Sequence, residues 1–384
     1  MKQVTRRGNN VGDKTYTVVL DMNNIMKIST VNQQLNSNGE NYGMVYMSLK
    51  IIGDILNKKD FNYCIAAYDG VGSGYLRYVH YKDYKANRGK NYALHDPNMS
   101  EYDKKMLLYQ KKVIEYSKKK RYDEAKYKES EDDAFERQKY VLQSILEELC
   151  VRQYEFENVE GDDIISYYVK NKKENENVVI VSSDKDLTQL ISETVVVYNP
   201  RLKDFVTKDN SIEKIGITHE NVVLEKILCG DSSDNIKGIK GMGEQTLMKY
   251  FPEIKSEKLE LDSIINRSKE LLEERKNNKK KPLMVLENIV NGVTEGCHKG
   301  KVYEINKKII DLSEPMMTKE AEEELKEVLY APMDVTDRNY NNIYRIISEN
   351  KMDSLTDENK FGNLLAPYSR IIMMETRRFK NSKS

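Results

Sequence analysis

The 384-residue chain predicts a mixed α/β fold with a parallel-rich central sheet, followed by a mainly helical second unit. Three observations carry that expectation. Short β-rich runs alternate with helical patterns in the first half of the chain. Three of those runs are continuously apolar rather than alternating, which marks strands buried on both faces. Beyond about residue 220 the pattern becomes helical, around a glycine-rich turn at 238–243 and a Lys-rich stretch at 275–281.

Strands are expected at Thr15–Asp21, 62–69, 177–183 and 194–199. Helices are expected between them at 44–56, 134–149 and Gly161–Asn171. The change of character places a domain boundary near 220–226, giving units 1–225 and 226–384, with a basic, frayed tail at 377–384. Two strands end in aspartate, at Asp21 and Asp69, and a third leads into Asp184. Open α/β sheets bind ligands outside the carboxyl ends of their strands, so these acids stand where chemistry is expected.

Charged residues make up 32% of the chain and hydrophobic ones 39%, as in a globular protein with a wet surface. The 62 basic and 62 acidic side chains cancel, and that total argues against a nucleic-acid binder. The signs are segregated, however. Between residues 77 and 128 there are 15 Lys/Arg against 7 Asp/Glu, with nine tyrosines interleaved. Ser100 and Asp103 resemble a capping box, and Tyr102, Met106, Tyr109, Val113 and Tyr116 then share a helical face beside Lys105, Lys112 and Lys119. Such a stripe is either a packed amphipathic helix or a surface that tracks phosphates and stacks bases. The four cysteines lie far apart without zinc-site spacing and read as thiols of a reducing compartment. No apolar run approaches the ~18 residues of a membrane span. The first ten residues lack the apolar core of a secretory signal, so a cytoplasmic protein is expected.

The chemistry-bearing pattern is acidic. Glu160, Asp162 and Asp163 open a helix, Asp184 and Asp186 follow an apolar strand, and Asp231 and Asp234 follow Cys229-Gly230. With Asp21 and Asp69 these make nine acids from five segments, eight of them aspartates. Each alone reads as a cap or turn residue. Gathered together they would repel one another unless cations neutralised them. Hard oxygen donors suit magnesium or manganese, and two such ions ~4 Å apart serve phosphodiester hydrolysis. The four histidines, at 80, 95, 219 and 298, lack the spacing of a zinc hydrolase. Just beyond Asp234, GIKGMGEQT at 238–246 reads as a tight turn into a helix, whose amides can meet a phosphate without reading bases.

These residues resemble the flap endonuclease or 5′–3′ exonuclease superfamily. The resemblance rests on LDMNNI (20–25), YDGVGSGYLR (68–77), YKANR (84–88), EGDDI (160–164), SSDKDLTQLI (182–191) and GDSSDNIKGIKGMGEQT (230–246). Within the superfamily SGYLR, YKANRGK, SSDKDLTQLI and NKKIIDLSEPM (306–316) are most similar to the ribonuclease H enzymes of T-even phages.

The resemblance implies a PIN-like 5′-nuclease domain with a helical arch at about 75–130, then a helix-three-turn-helix domain with a helical C-terminal extension. It implies a first divalent ion held by Asp69, Glu160, Asp162 and Asp184 with Asp21 nearby. A second would lie at Asp186, Asp231 and Asp234, with Asp163 supporting the cluster. Lys85 and Arg88 would meet the scissile phosphate and, with Asp184, carry the catalysis. Arg77, which matches a basic position near the arch entrance, and Tyr84 would also bind the nucleic acid. Gly238, Lys240, Gly241, Gly243 and Thr246 would grip duplex phosphates, a turn that in the family often also holds a potassium ion. The implied substrates are DNA and RNA–DNA duplexes with 5′ ends or flaps, and the implied role is RNA primer removal in phage DNA replication. A single-strand-binding protein or sliding clamp is the partner such a role suggests; a monomer is expected. Two rival readings are a non-catalytic scaffold for branched DNA and another PIN-type metal ribonuclease. The nine acids oppose the first, because they repel DNA. The glycine turn and YKANR oppose the second.

Overall fold

The computed structural model describes residues 14–88, 131–296 and 301–383. The Lys/Tyr stripe at 102–119, most of the expected arch and Cys297 therefore lie outside the described residues. A six-stranded sheet forms the centre, in the order β3-β2-β1-β4-β5-β6. Its strands are β1 Thr15–Asp21, β2 Tyr63–Asp69, β3 Arg152–Phe156, β4 Glu176–Val181, β5 Val195–Asn199 and β6 Asp204–Val206. All pairings are parallel except β5 with β6.

Side chains alternate across each strand, and here both faces are buried. Val18 and Leu20 of β1, with Val179 and Val181 of β4, face a core shared with the helices Gly43–Leu56 and Glu131–Glu148. Val19, Val178 and Ile180 face the opposite core, with Ile164, Ile165 and Tyr168 of the helix Gly161–Asn171. This explains the unbroken apolar runs in the sequence.

The helical unit has its own core, from Ile217 to Val302. A two-stranded ribbon of β7 Gly230–Asp231 and β8 Ile236–Lys237 stands at its border with the sheet domain. The chain then returns. Leu312, Ala321, Leu325 and Leu329 join one sheet core, and Ile343, Ile347, Leu365, Tyr368 and Ile371 join the other. The expectation of one helical domain from 226 to the end thus differs from where the cores lie. Residues after about 312 are helical but complete the first domain. Arg152 of β3 and Glu375 of the last helix, Ser369–Lys383, are clamped by two bonds of 2.9 and 2.8 Å, with Glu375 fully buried.

Candidate active site

The parallel sheet brings four of the five acidic segments to its carboxyl edge. Asp21 ends β1 and caps the next helix, accepting from the Asn24 amide at 3.0 Å and the Ser182 hydroxyl at 2.7 Å. Asp69 ends β2 and accepts from the Gly161 amide at 2.8 Å, which ties it to the helix bearing Asp162 and Asp163. Glu160 precedes that helix at its N-cap position. Asp184 follows β4, and its carboxylate accepts from the Asp186 amide at 2.9 Å. The fifth segment, Asp231 to Asp234, arrives on the ribbon of the helical unit. A narrow cleft lined by Glu160, Asp162, Asp186, Asp231 and Asp234 joins the two units.

The electrostatics divide the cluster. Burial, then the neighbouring Asp184 and Asp69, raise Asp21 from 3.8 to about 7 against the hydrogen bonds from Ser182 and Asn24. Asp162 is raised well above its ordinary value by burial, followed by Asp21, Asp184, Asp69 and Glu160. Among the described residues no hydrogen bond or ion pair reaches the Asp162 carboxylate. Glu160 is the opposite case. Burial opposes its charge, but Lys85 and Arg77 hold it at about 2.

Several expected surface residues prove to be buried. Arg77 has a side-chain exposure of 7% and makes a fork of 2.5 and 3.0 Å to Asp163, with its Nη1 also 2.6 Å from Glu160. Its Nε donates to the Ile309 carbonyl at 2.9 Å. Arg77 therefore lies inside the protein, pinning the acidic helix to the helix Val302–Ile310, and not on a basic surface. Its partner Asp163 also accepts from the Met316 amide at 2.9 Å, so its carboxylate is taken up by Arg77 and the backbone. Tyr84 is buried too, its hydroxyl donating to Glu160 at 2.9 Å and approaching Asp234 at 3.2 Å. Lys85 pairs with Glu160 in a left-handed backbone conformation, φ 50°, secured by its amide on the Asp234 carbonyl at 2.8 Å. Such a conformation is costly outside glycine and persists only where surroundings enforce it. Arg88, more exposed, meets Asp234 at 2.6 Å.

Two features escaped the sequence reading. Asn24 and Ser182 brace the strand ends, Asn24 also accepting from the Ser183 amide at 2.9 Å. Lys226, on the helix Val222–Cys229, pairs with both Asp186 and Asp231, which line the cleft. The available signal was a Glu-Lys pair in an otherwise apolar helix, the lysine five residues before Asp231. One ammonium cannot balance two carboxylates, and the pair divides accordingly. Burial and Asp184 push Asp186 up to about 7 despite Lys226, while Asp231, against burial, is held at about 2 by Lys226 and Ser233.

The glycine turn has the expected shape. Gly241 adopts φ +81°, and the turn is fastened by Lys240 amide to Val293 carbonyl, 2.9 Å, and Met242 amide to Ile239 carbonyl, 2.9 Å. Gly238 is obligatory for another reason: a Cβ there would lie 2.3 Å from the Cys229 carbonyl carbon. Lys240, Gly241 and Gly243 are exposed, and Thr246 is half-buried at the start of the helix Glu244–Tyr250.

The family model described as the 5′-3′ exonuclease, N-terminal resolvase-like domain, matches residues 18–225, more than half of the chain. The chain belongs to the 5′-3′ exonuclease family. A 5′-3′ exonuclease of Buchnera aphidicola subsp. Schizaphis graminum is 30% identical over 234 residues, covering 58% of this chain and 66% of that protein. DNA polymerase I of Bacillus subtilis is 37% identical over 139 residues, 35% of this chain and 16% of the polymerase. This exonuclease-family chain thus matches less than two thirds of the length of either relative. Two solved structures share its fold. One is the T5 5′-exonuclease with divalent metal ions (zinc) bound, with TM-score 0.50 and 15% identity over 94% of this chain and 99% of that one. The other is human GEN1 in complex with Holliday junction DNA, with TM-score 0.50 and 15% identity over 94% and 73%.

For this family member, the fit of a divalent ion is tested by the donor set. Among the described residues no group of three or more acids, histidines or cysteines is arranged to hold an ion as it stands. The chain's own cations account for part of that: Glu160, Asp234, Asp186 and Asp231 are each held by Lys or Arg. Asp21, Asp69, Asp162 and Asp184 have no basic partner among the described ion pairs, and their charges raise Asp162 and Asp21 as described above. Clustered hard oxygens short of positive charge fit a divalent ion.

Proposed function

We propose that the protein is a divalent-metal-dependent, structure-specific 5′ nuclease that cuts phosphodiester bonds near 5′ ends or flaps of DNA or RNA–DNA duplexes. The observation that carries this reading is the meeting of acids from five segments at one sheet edge, with Lys85 and Arg88 laid across them. Asp69, Asp162 and Asp184 would hold the first ion, with Asp21 and Glu160 beside them; Asp186, Asp231 and Asp234 would hold the second. Bound there, magnesium or manganese supplies charge neutralisation and an activated water.

The chain's own residues do the rest. Arg88 lies at the cleft mouth, where it can leave Asp234 for an incoming phosphate. Lys85 is already inside, so a phosphate near Glu160 meets a preorganised cation. Arg77 and Tyr84 act behind them, fixing Glu160. The glycine turn would hold the adjoining duplex by its backbone, and a potassium ion would bind at its carbonyls. Removal of RNA primers during phage DNA replication, with ribonuclease H activity, is the biological role that the motifs support. The T5 and GEN1 likenesses, one with divalent metals and one with branched DNA, agree with this reading.

The test is a 5′-labelled flap substrate beside an RNA–DNA hybrid, each with and without magnesium. Magnesium-dependent release of short 5′ products is expected. Metal-independent cleavage, or binding without any cleavage, would sink the proposal.

A further inference from the structure

The ammonium of Lys226 occupies the point where two carboxylates from separate elements converge. Asp186 opens the turn Asp186–Leu190 after β4, and Asp231 lies on β7. Lys226 Nζ is 2.5 Å from Asp231 Oδ2 and in ion-pair contact with Asp186 Oδ1, with its side chain 15% exposed. The backbone beneath each carboxylate is fixed without the lysine, and the Asp231 carboxylate is fixed as well. The Asp186 backbone amide is tied to Asp184, and Asp231 accepts from the Ser233 amide at 2.8 Å and hydroxyl at 2.7 Å. The two elements would therefore keep both acids on the same side of the cleft without the ammonium.

We propose that Lys226 is the resident counter-ion of a second divalent-ion position, which an ion enters only by displacing it. This rests on the metal-dependent reading above. With both carboxylates ionised, one ammonium leaves a negative charge unmatched, and a divalent ion removes it. Lysine suits the part: a point charge on a flexible four-carbon stem, able to swing without moving the helix. Its neighbour on the helix, Glu225, is already neutralised by Lys185 at 2.5 Å and so attracts a second ammonium less than an unpaired anion does. A displaced Lys226 therefore turns into the cleft, where a backbone phosphate is the available anion. Filling of the second ion position and binding of nucleic acid then favour each other, by linkage. The second position stays weak in the free protein and strengthens when substrate arrives.

The experiment is a Mn2+ titration of the full chain, with free ion followed by electron paramagnetic resonance. Wild type should show one tighter and one weaker class of site. Lys226→Met should tighten the weaker class by about tenfold or more, in the range of ordinary coupling energies, while Lys226→Arg should leave it weak. An unchanged or weakened second class in a Lys226→Met protein with native circular dichroism overturns the proposal. Lys226→Gln, which keeps hydrogen bonding to both carboxylates, takes its place if the methionine variant fails to fold. Asp162→Asn and Asp184→Asn separate the two ideas. If they leave the tighter class intact, the metal-dependent reading itself falls. If they abolish it while Lys226→Met changes nothing, only the counter-ion role falls.

Discussion

Lys85 shows how one side chain can be in place before its substrate. Burial works against its charge, but Glu160, Tyr84 and Asp234 keep the ammonium protonated well above its ordinary range. It is therefore a fixed positive charge at any pH the protein will meet. Preorganised charge of this kind typically contributes about 10²–10³-fold to a rate. Lys85→Ala is expected to slow single-turnover cleavage by about that factor, with little change in duplex affinity. An unchanged single-turnover rate would remove Lys85 from the machinery. A loss confined to affinity would make it only a binding residue.

At the scale of elements, the Arg152–Glu375 clamp fastens edge strand β3 to the last helix. It is dry, and it is extended by Arg378, whose guanidinium donates to Glu375 at 2.9 Å and lies 3.5 Å from the Tyr63 ring centroid. Removing one partner of a buried pair strands the other's charge, at a cost of about 3–5 kcal/mol. Glu375→Ala should show that loss in urea unfolding, and the double variant Arg152→Met/Glu375→Met should recover much of it. Equal losses in the single and double variants would show that packing, not charge, is what matters there.

The same strand shows what the sequence could and could not disclose. The central strands were legible because they are buried on both faces and therefore continuously apolar. The two strands missed in the central sheet, β3 and β6, are its edges, RQYEF and DFV, where one side is free of partners and the apolar run is not required. The acids at β1, β2 and β4 were legible from position alone, since a parallel sheet gathers its strand ends. The burial of Arg77 and Tyr84 was not, because it depends on Ile309 and on Asp234, more than a hundred residues away. A basic or phenolic residue beside a motif looks the same in sequence whether it faces solvent or a buried carboxylate.

For the whole molecule, the acids link proton binding to stability, and the proposed divalent ion to both. Asp21 and Asp186 sit at about 7 in the folded protein against an ordinary 3.8. Between those values the folded state holds more protons than the unfolded one, so their contribution to stability falls as pH rises through that window. Glu160 and Asp231, held at about 2, contribute stability above their ordinary values and lose it as pH falls toward 2. A divalent ion competes with the protons on the raised pair. Magnesium should therefore raise Tm more at about pH 7.5 than at about pH 5.5, because binding to the native state stabilises it. Calorimetry at the two pH values decides the point: an equal rise at both would mean the ion does not bind at these carboxylates.

The return of the chain after residue 312 bears on how the protein is made. Tyr368 donates to the Leu49 carbonyl at 2.8 Å across 319 residues, inside the same core as β1. Synthesis proceeds from the N-terminus, yet that core lacks several of its walls until the last helices have left the ribosome. The helical unit can close on itself first, its core being contiguous in sequence, while the sheet waits with apolar surface uncovered. A nascent chain thus leaves apolar sheet surface uncovered until the residues beyond 312 have emerged, and a chain cut short before them would be sticky and incomplete rather than a smaller folded unit.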